Sequence, residues 1–176
     1  MRACYATGVG AWAGEELVDV VDPHDVVIDT VTRAEMRARR LRHLAVSIAV
    51  MGGDGRLLVH RRADTKDVWP GWWDIAAGGV VAAGEDYDAA ARRELAEELG
   101  INVDTLEHLG KASYEDDEVA LMGCGYLCRH DGPFEFTDGE ITEVRWVTRS
   151  ELDSMIANER FVPDNIALLL PLLSLR

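Results

Sequence analysis

Apolar and polar positions along the chain alternate with a period that changes from segment to segment. Residues 16–31 (EELVDVVDPHDVVIDT) hold two β-branched runs around the turn-forming Asp22-Pro23-His24-Asp25, which predicts a small hairpin laid against the main body. The Gly- and Ala-rich stretch before it predicts a loose segment. Residues 32–40 (TRAEMRARR) open on Thr32 with Glu35 three positions on, the capping-box pattern, and predict a short helix. Two apolar runs, 44–51 (LAVSIAVM) and 57–60 (LLVH), flank Gly52-Gly53-Asp54-Gly55 and predict a strand, a turn and a strand.

The glycine-punctuated stretch 69–84 (WPGWWDIAAGGVVAAG) leads into 86–99, where Ala91, Leu95 and Leu99 recur at helical spacing and Gly100 supplies the stop. Beyond it, strands are predicted near 103–114, 119–128 and 141–147, then helices over about 149–158 and about 163–174, the last nearly all apolar. Strands interrupted by helices predict the α/β class, with a mixed sheet sandwiched between helices. At 176 residues and 48% hydrophobic content the chain is expected to form one domain, with 1–32 as an N-terminal hairpin extension and 44–176 as the core.

Composition narrows the function classes. No apolar run approaches the ~20 residues that span a bilayer, and Met1 to Gly14 lacks the basic flank of a signal peptide, so a cytoplasmic protein is expected. Cys4, Cys124 and Cys128 are odd in number, which fits reduced thiols better than a disulfide framework, and they are too few for a zinc site. With 18 basic against 32 acidic residues the net charge is −14, which argues against nucleic-acid polymers and membranes as partners. The basic run Arg33, Arg37, Arg39, Arg40, Arg42 is accordingly expected to be a solvated helix face or a dimer contact.

The most informative segment reads Gly79-x5-Glu85-x7-Arg93-Glu94-Leu95-x-Glu97-Glu98-Leu99-Gly100-Ile101. Its seven fixed letters and two apolar positions arise by chance on the order of 10⁻⁹ per starting point at residue usages of ~7%. Glu94, Glu97 and Glu98 stand at i, i+3 and i+4, so one helix face gathers three carboxylates whose repulsion must be offset. An oxygen-only cluster around a partly open site suits a hard divalent cation such as Mg²⁺ or Mn²⁺, with substrate phosphates as its remaining ligands. Arg93 is placed to orient a neighbouring Glu or to meet a phosphate. A merely solvated acidic helix would not need Gly79, Gly84 and Glu85 ahead of it at this spacing.

This segment matches the Nudix box at every position, and the chain therefore resembles the Nudix hydrolase superfamily. The resemblance implies the Nudix α/β/α sandwich with a loop–helix–loop metal site. It gives Glu97 and Glu98 the cation, makes Glu94 a further ligand or the base, and adds the carbonyl of Gly78; Glu85 and Arg93 would brace the loop. ELVDVVD, VTRAEMR, LRHLAVS, LLVHRR and KDVWPGWWD extend the resemblance to the branch related to isopentenyl diphosphate isomerase. There an Arg and a Lys ahead of the WPG motif grip the diphosphate, mapping onto Arg62 and Lys66 with Arg61 adjacent. The isomerases carry a catalytic Cys shortly after that motif, whereas Trp72 to Gly78 contain no thiol, and His43, where one of their metal-binding histidines would lie, is expected to be structural.

The implied reaction is hydrolysis of the diphosphate linkage of a nucleoside diphosphate derivative by attack of an activated water on phosphorus. Members similar to this branch point to CDP- or UDP-like compounds. The alternatives are an isomerase-like enzyme, undercut by the missing Cys, and a non-catalytic nucleotide-sensing module, which would show an eroded box. Acidic candidates for a base outside the box are Glu115, Asp116, Asp117 and Glu118 in one loop and Glu140 and Glu143 near another. Trp69, Trp72 and Trp73 are candidates to wall a pocket or stack on a base. A homodimer is the expected self-partner, through the hairpin and the apolar C-terminal helix.

Overall fold

Two strands, β1 (Leu17–Val21) and β2 (Val27–Thr32), pair antiparallel across the Asp22–Asp25 turn and form the expected hairpin. Asp22 builds that turn by accepting the backbone N–H groups of His24 (2.8 Å) and Val26 (3.1 Å). The computed structural model describes residues 15–136 and 139–175; the loose segment expected before the hairpin, and Cys4, lie outside them. Thr32 caps helix α1 (Arg33–Ala38) by accepting from the Glu35 backbone N–H at 3.2 Å. The Glu35 carboxylate turns to Arg39 instead.

The central strand is β3 (His43–Met51). It pairs in parallel with β8 (Ala120–Arg129) over nine residues, His43 opposite Leu121 through Met51 opposite Arg129, and antiparallel with β6 (Ala77–Val80). The Gly52–Gly55 turn does join β3 to β4 (Leu57–Arg62), but the two strands meet only at Met51 and Leu57 and then part. Beyond that point β4 pairs with β9 (Ile141–Val147) and with the two-residue β5 (Trp73–Asp74). The local hairpin gives way because each strand gains longer partners elsewhere. Strand β7 (Glu107–Glu115) closes the far edge on β8 and starts four residues later than the sequence suggested.

Alternation along β3 builds the two cores. Val46, Ile48 and Val50 face helix α2 (Tyr87–Leu99), together with Cys124, Tyr126 and Cys128 of β8. Ala49 and Met51 face the other way, where Leu152 of α3 (Arg149–Asn158) and Leu169 and Leu173 of the C-terminal segment cover them. The result is an α/β fold with a mixed sheet between helices and the hairpin packed on it through Val18, Val20 and Val31. The last helical stretch is shorter than its apolar pattern suggested: α4 covers Pro163–Leu168, and Pro171 tightens the continuation into one 3-10 turn. Its leucines are largely absorbed by the core, whereas the hairpin keeps Val26, Val27 and Ile28 between 51% and 64% exposed. Among the described residues no helix is long and apolar enough to cross a membrane.

Candidate active site

Helix α2 is fixed at both ends before any chemistry is considered. Asp86 caps it by accepting the Ala89 N–H at 2.8 Å, and Gly100 ends it in the left-handed conformation (φ 67°). Ala90, Ala91, Leu95 and Leu99 are buried against the sheet, which turns Glu94, Glu97 and Glu98 towards a cavity of about 540 Å³. Gly78 and Gly79 of β6 run directly beneath them. A Cβ on Gly79 would come within 2.6 Å of the Glu94 carboxylate, so glycine lets the strand run beneath that side chain without displacing it.

Glu98 is the most enclosed of the three, 3% exposed, and accepts the Gly78 N–H at 3.1 Å. Burial pushes its carboxyl well above the ordinary carboxylate range, and burial raises Glu94 as well. Each carboxylate meets an internal cation. Arg93 donates Nε and Nη2 to Glu85 (3.0 and 2.9 Å) and Nη1 to Glu94 (2.7 Å) and Glu97 (3.2 Å). Lys66, on the loop between β4 and β5, lies 3.6 Å from Glu98 and pairs with Glu140. With these two cations in place, no group of three His, Cys, Asp or Glu side chains converges as a metal cage among the described residues. The donor set itself, oxygen-only and partly buried, is of the kind a hard divalent cation takes.

The cavity also gathers Arg62 and Trp69. Arg62 donates Nη2 to the Val68 carbonyl at 3.1 Å, and its buried Nε has no partner among the described residues. Arg61 is not brought in: neighbouring strand residues point to opposite faces, and its exposed guanidinium donates to the Gly71 carbonyl at 3.0 Å. Of the acidic candidates outside the helix, Glu140 lines the cavity. Glu115 pairs with Arg40 and Arg42, Asp116 caps the backbone of Glu118 and Val119, and Glu143 pairs with Arg145. Trp73 is a core residue and Trp72 sits near Arg160. His43 is buried at the cavity edge, its Nδ1 against the Leu41 carbonyl, and burial lowers its pKa to about 4, so it is neutral at pH 7.

The basic run needs correction. Arg33 and Arg37, one turn apart on α1, face the cavity and share Asp67 at 3.8 and 3.2 Å, rather than forming a solvated face.

Asp74, Asp164 and Asn165 were not anticipated and form a buried polar group on the cavity wall. Asn165 donates Nδ2 to Asp74 at 2.8 Å, and Arg62 lies 3.8 Å from the same carboxylate. Burial raises Asp74 to about 6 and Asp164 to about 7. The ordinary value is 3.8, so the folded chain holds the Asp164 proton at a pH where the unfolded chain has lost it. Below that ordinary value the two states do not differ; between it and about 7 the folded state progressively loses stability. Asp164→Asn removes this loss, so the stability of the variant relative to wild type should grow by a few kcal/mol across that window and level off above it. Thermal unfolding of both chains at about pH 5 and about pH 8 reads this; an equal difference at the two values would contradict the burial argument.

Comparison with known proteins agrees with the geometry. The NUDIX domain model matches residues 41–169. The chain is 43% identical over 155 residues to the uncharacterised Nudix hydrolase YfcD of Salmonella typhi, covering 88% of this chain and 83% of that one. It is 36% identical over 160 residues to the uncharacterised Nudix hydrolase SCO1686 of Streptomyces coelicolor, covering 88% and 87%. The crystal structure of DR0079 from Deinococcus radiodurans superposes with a TM-score of 0.76 at 28% identity, covering 89% of this chain and 98% of that one.

Proposed function

The chain belongs to the Nudix family of hydrolases, and from that premise we propose that it cleaves the diphosphate linkage of a nucleoside diphosphate derivative with Mg²⁺ or Mn²⁺ at the α2 carboxylates. The observation that carries this reading is Glu98: a carboxylate enclosed beneath a cavity of about 540 Å³, with Glu94 and the Gly78 backbone beside it. Residues 79–101 are read as the Nudix box. Glu94, Glu97, Glu98 and the Gly78 carbonyl would hold the cation. When bound, it would neutralise phosphate charge and acidify a coordinated water.

The chain's own residues supply the rest. Arg62 and Lys66 grip the diphosphate, and Arg93 holds Glu85, Glu94 and Glu97 in register. Glu94, Glu98 and Glu140, all in the cavity, are the carboxylates that can take the proton of the attacking water. Water adds to phosphorus, the bridging P–O bond breaks, and a nucleoside monophosphate and phosphate, or its substituted form, leave. Trp69 flanks the cavity and supplies a surface for the substrate's ring.

Within the family we place the chain beside the isopentenyl diphosphate isomerase branch, on Arg62 and Lys66 in the cavity wall. Hydrolysis is favoured over isomerisation because no thiol follows the WPG motif, and the buried Cys124 and Cys128 do not line the cavity. Those free thiols support a cytoplasmic setting. The proposed partner is a small nucleotide-type diphosphate, with no nucleic-acid polymer and no membrane; a homodimer would draw on the exposed hairpin.

Incubation with Mg²⁺ and a panel of nucleoside di- and triphosphates, dinucleoside polyphosphates, nucleotide sugars, NADH, coenzyme A and isopentenyl diphosphate tests the reading. Metal-dependent release of a nucleoside monophosphate is the expected result. Isomerised isopentenyl diphosphate would overturn the hydrolase assignment, and absence of turnover across the panel would favour a sensing module.

A further inference from the structure

Of the cations that meet the α2 carboxylates, one is tied into a dense network and the other is held by two carboxylates. Arg93 is held by Glu85 through two nitrogens and by the Val80 carbonyl, in addition to Glu94 and Glu97, so its guanidinium has no second position open to it. Lys66 is different. Its ammonium sits on a flexible four-carbon stem, is 13% exposed, and bridges two carboxylates from distant parts of the chain, Glu98 and Glu140. Both also line the cavity, so the ammonium occupies space that faces the substrate.

Glu98 cannot be left without a partner in that setting, since an unpaired buried carboxylate is far costlier than a solvated one. A divalent cation and an ammonium also cannot share it cheaply, because like charges a few ångströms apart repel strongly where water is excluded. We propose that Lys66 is the resident counter-cation of Glu98 in the metal-free protein and gives up that carboxylate when the divalent cation arrives, its ammonium turning to the substrate phosphate. This rests on the assignment of the α2 glutamates as cation ligands. Lys66 thereby lowers the affinity for the bare cation and makes cation and phosphate binding mutually supportive, since a bound phosphate offsets the repulsion between the cation and the displaced ammonium. The same contact ties the β4–β5 loop across the cavity to α2, so its release loosens that loop.

The test is titration of Mn²⁺ alone into the full chain, with free Mn²⁺ read by electron paramagnetic resonance. Lys66→Met should bind Mn²⁺ about tenfold more tightly than wild type. Arg37→Met, which removes a charge from the same cavity but from a group tied to Asp67, should change binding less than about twofold, and Glu98→Gln should weaken it. Equal effects of the Lys66 and Arg37 variants, or no effect of Lys66→Met while Glu98→Gln still weakens binding, would overturn the exchange. Binding that Glu98→Gln leaves untouched would show instead that the ligand assignment is wrong, and the exchange would fall with it. Wild-type protein supplies a second readout: Mn²⁺ should speed amide hydrogen exchange in residues 63–72, and unchanged exchange there at saturating Mn²⁺ would overturn the proposal independently of any variant.

Discussion

Glu98→Gln is expected to lower kcat/KM by about 10³-fold or more while leaving the protein folded. The amide keeps the size of the side chain and can still accept the Gly78 N–H, so the backbone contact at 3.1 Å survives. It cannot carry charge, and its NH₂ group faces the Lys66 ammonium as a second donor. The metal-free variant should stay folded but melt somewhat below wild type, because Lys66 loses one of its two carboxylate partners and keeps Glu140. Steady-state hydrolysis and thermal unfolding separate the two effects. Activity within about tenfold of wild type in a folded variant would remove Glu98 from the centre of the mechanism.

Gly78→Ala should do the opposite and damage the fold. Gly78 has φ 154°, and a Cβ there would lie 2.1 Å from the Val46 carbonyl oxygen and 3.1 Å from the Ser47 Cα. Both obstacles are backbone of β3, the strand that Gly78 is paired with, so relief requires the β3–β6 ladder itself to shift. We expect a loss of about 3 kcal/mol and a Tm about 6–12 °C lower. Gly79→Ala meets only the end of the Glu94 side chain, at 2.6 Å, which can swing away. That variant should lose activity through a displaced Glu94 and little stability. The order of the two Tm values is the check; Gly79→Ala melting below Gly78→Ala would refute the backbone argument.

What could be read in advance was what repeats locally. The α2 helix with its Asp and Gly ends, the hairpin turn at Asp22, and the strand over 141–147 each follow from neighbouring residues. So does the convergence of Glu94, Glu97 and Glu98, because helical spacing puts them on one face. The placement of Arg61 outside the cavity and Arg62 inside it also had a local signal, strand alternation, that adjacency in the sequence obscured.

The rest depended on distant pairings. The parting of β3 and β4 is decided by β8, β6 and β9, strands whose register no local pattern specifies. Asp74 meets Asn165 across 91 positions of sequence, with no periodicity linking the two. The one hint was Asp74 itself, an acid set between the apolar Trp73 and Ile75 in a short strand, where a solvated charge would not be expected. Arg33 and Arg37 looked like surface charges because the acid that holds them, Asp67, lies in a loop 30 positions from Arg37.

That loop bears on how the wall of the cavity can be exchanged between relatives. Asp67 fastens it to α1, Lys66 to α2 and to Glu140, and the Ala63 N–H to the Glu140 carbonyl at 2.8 Å. A graft of residues 63–72 from another hydrolase would therefore take one carboxylate partner from Arg33 and Arg37 and the ammonium from Glu98 and Glu140 of the recipient. Recombination that carries Arg33, Arg37 and Glu140 along with the loop keeps these pairs intact, so α1, the loop and residue 140 should be exchanged together rather than piecemeal.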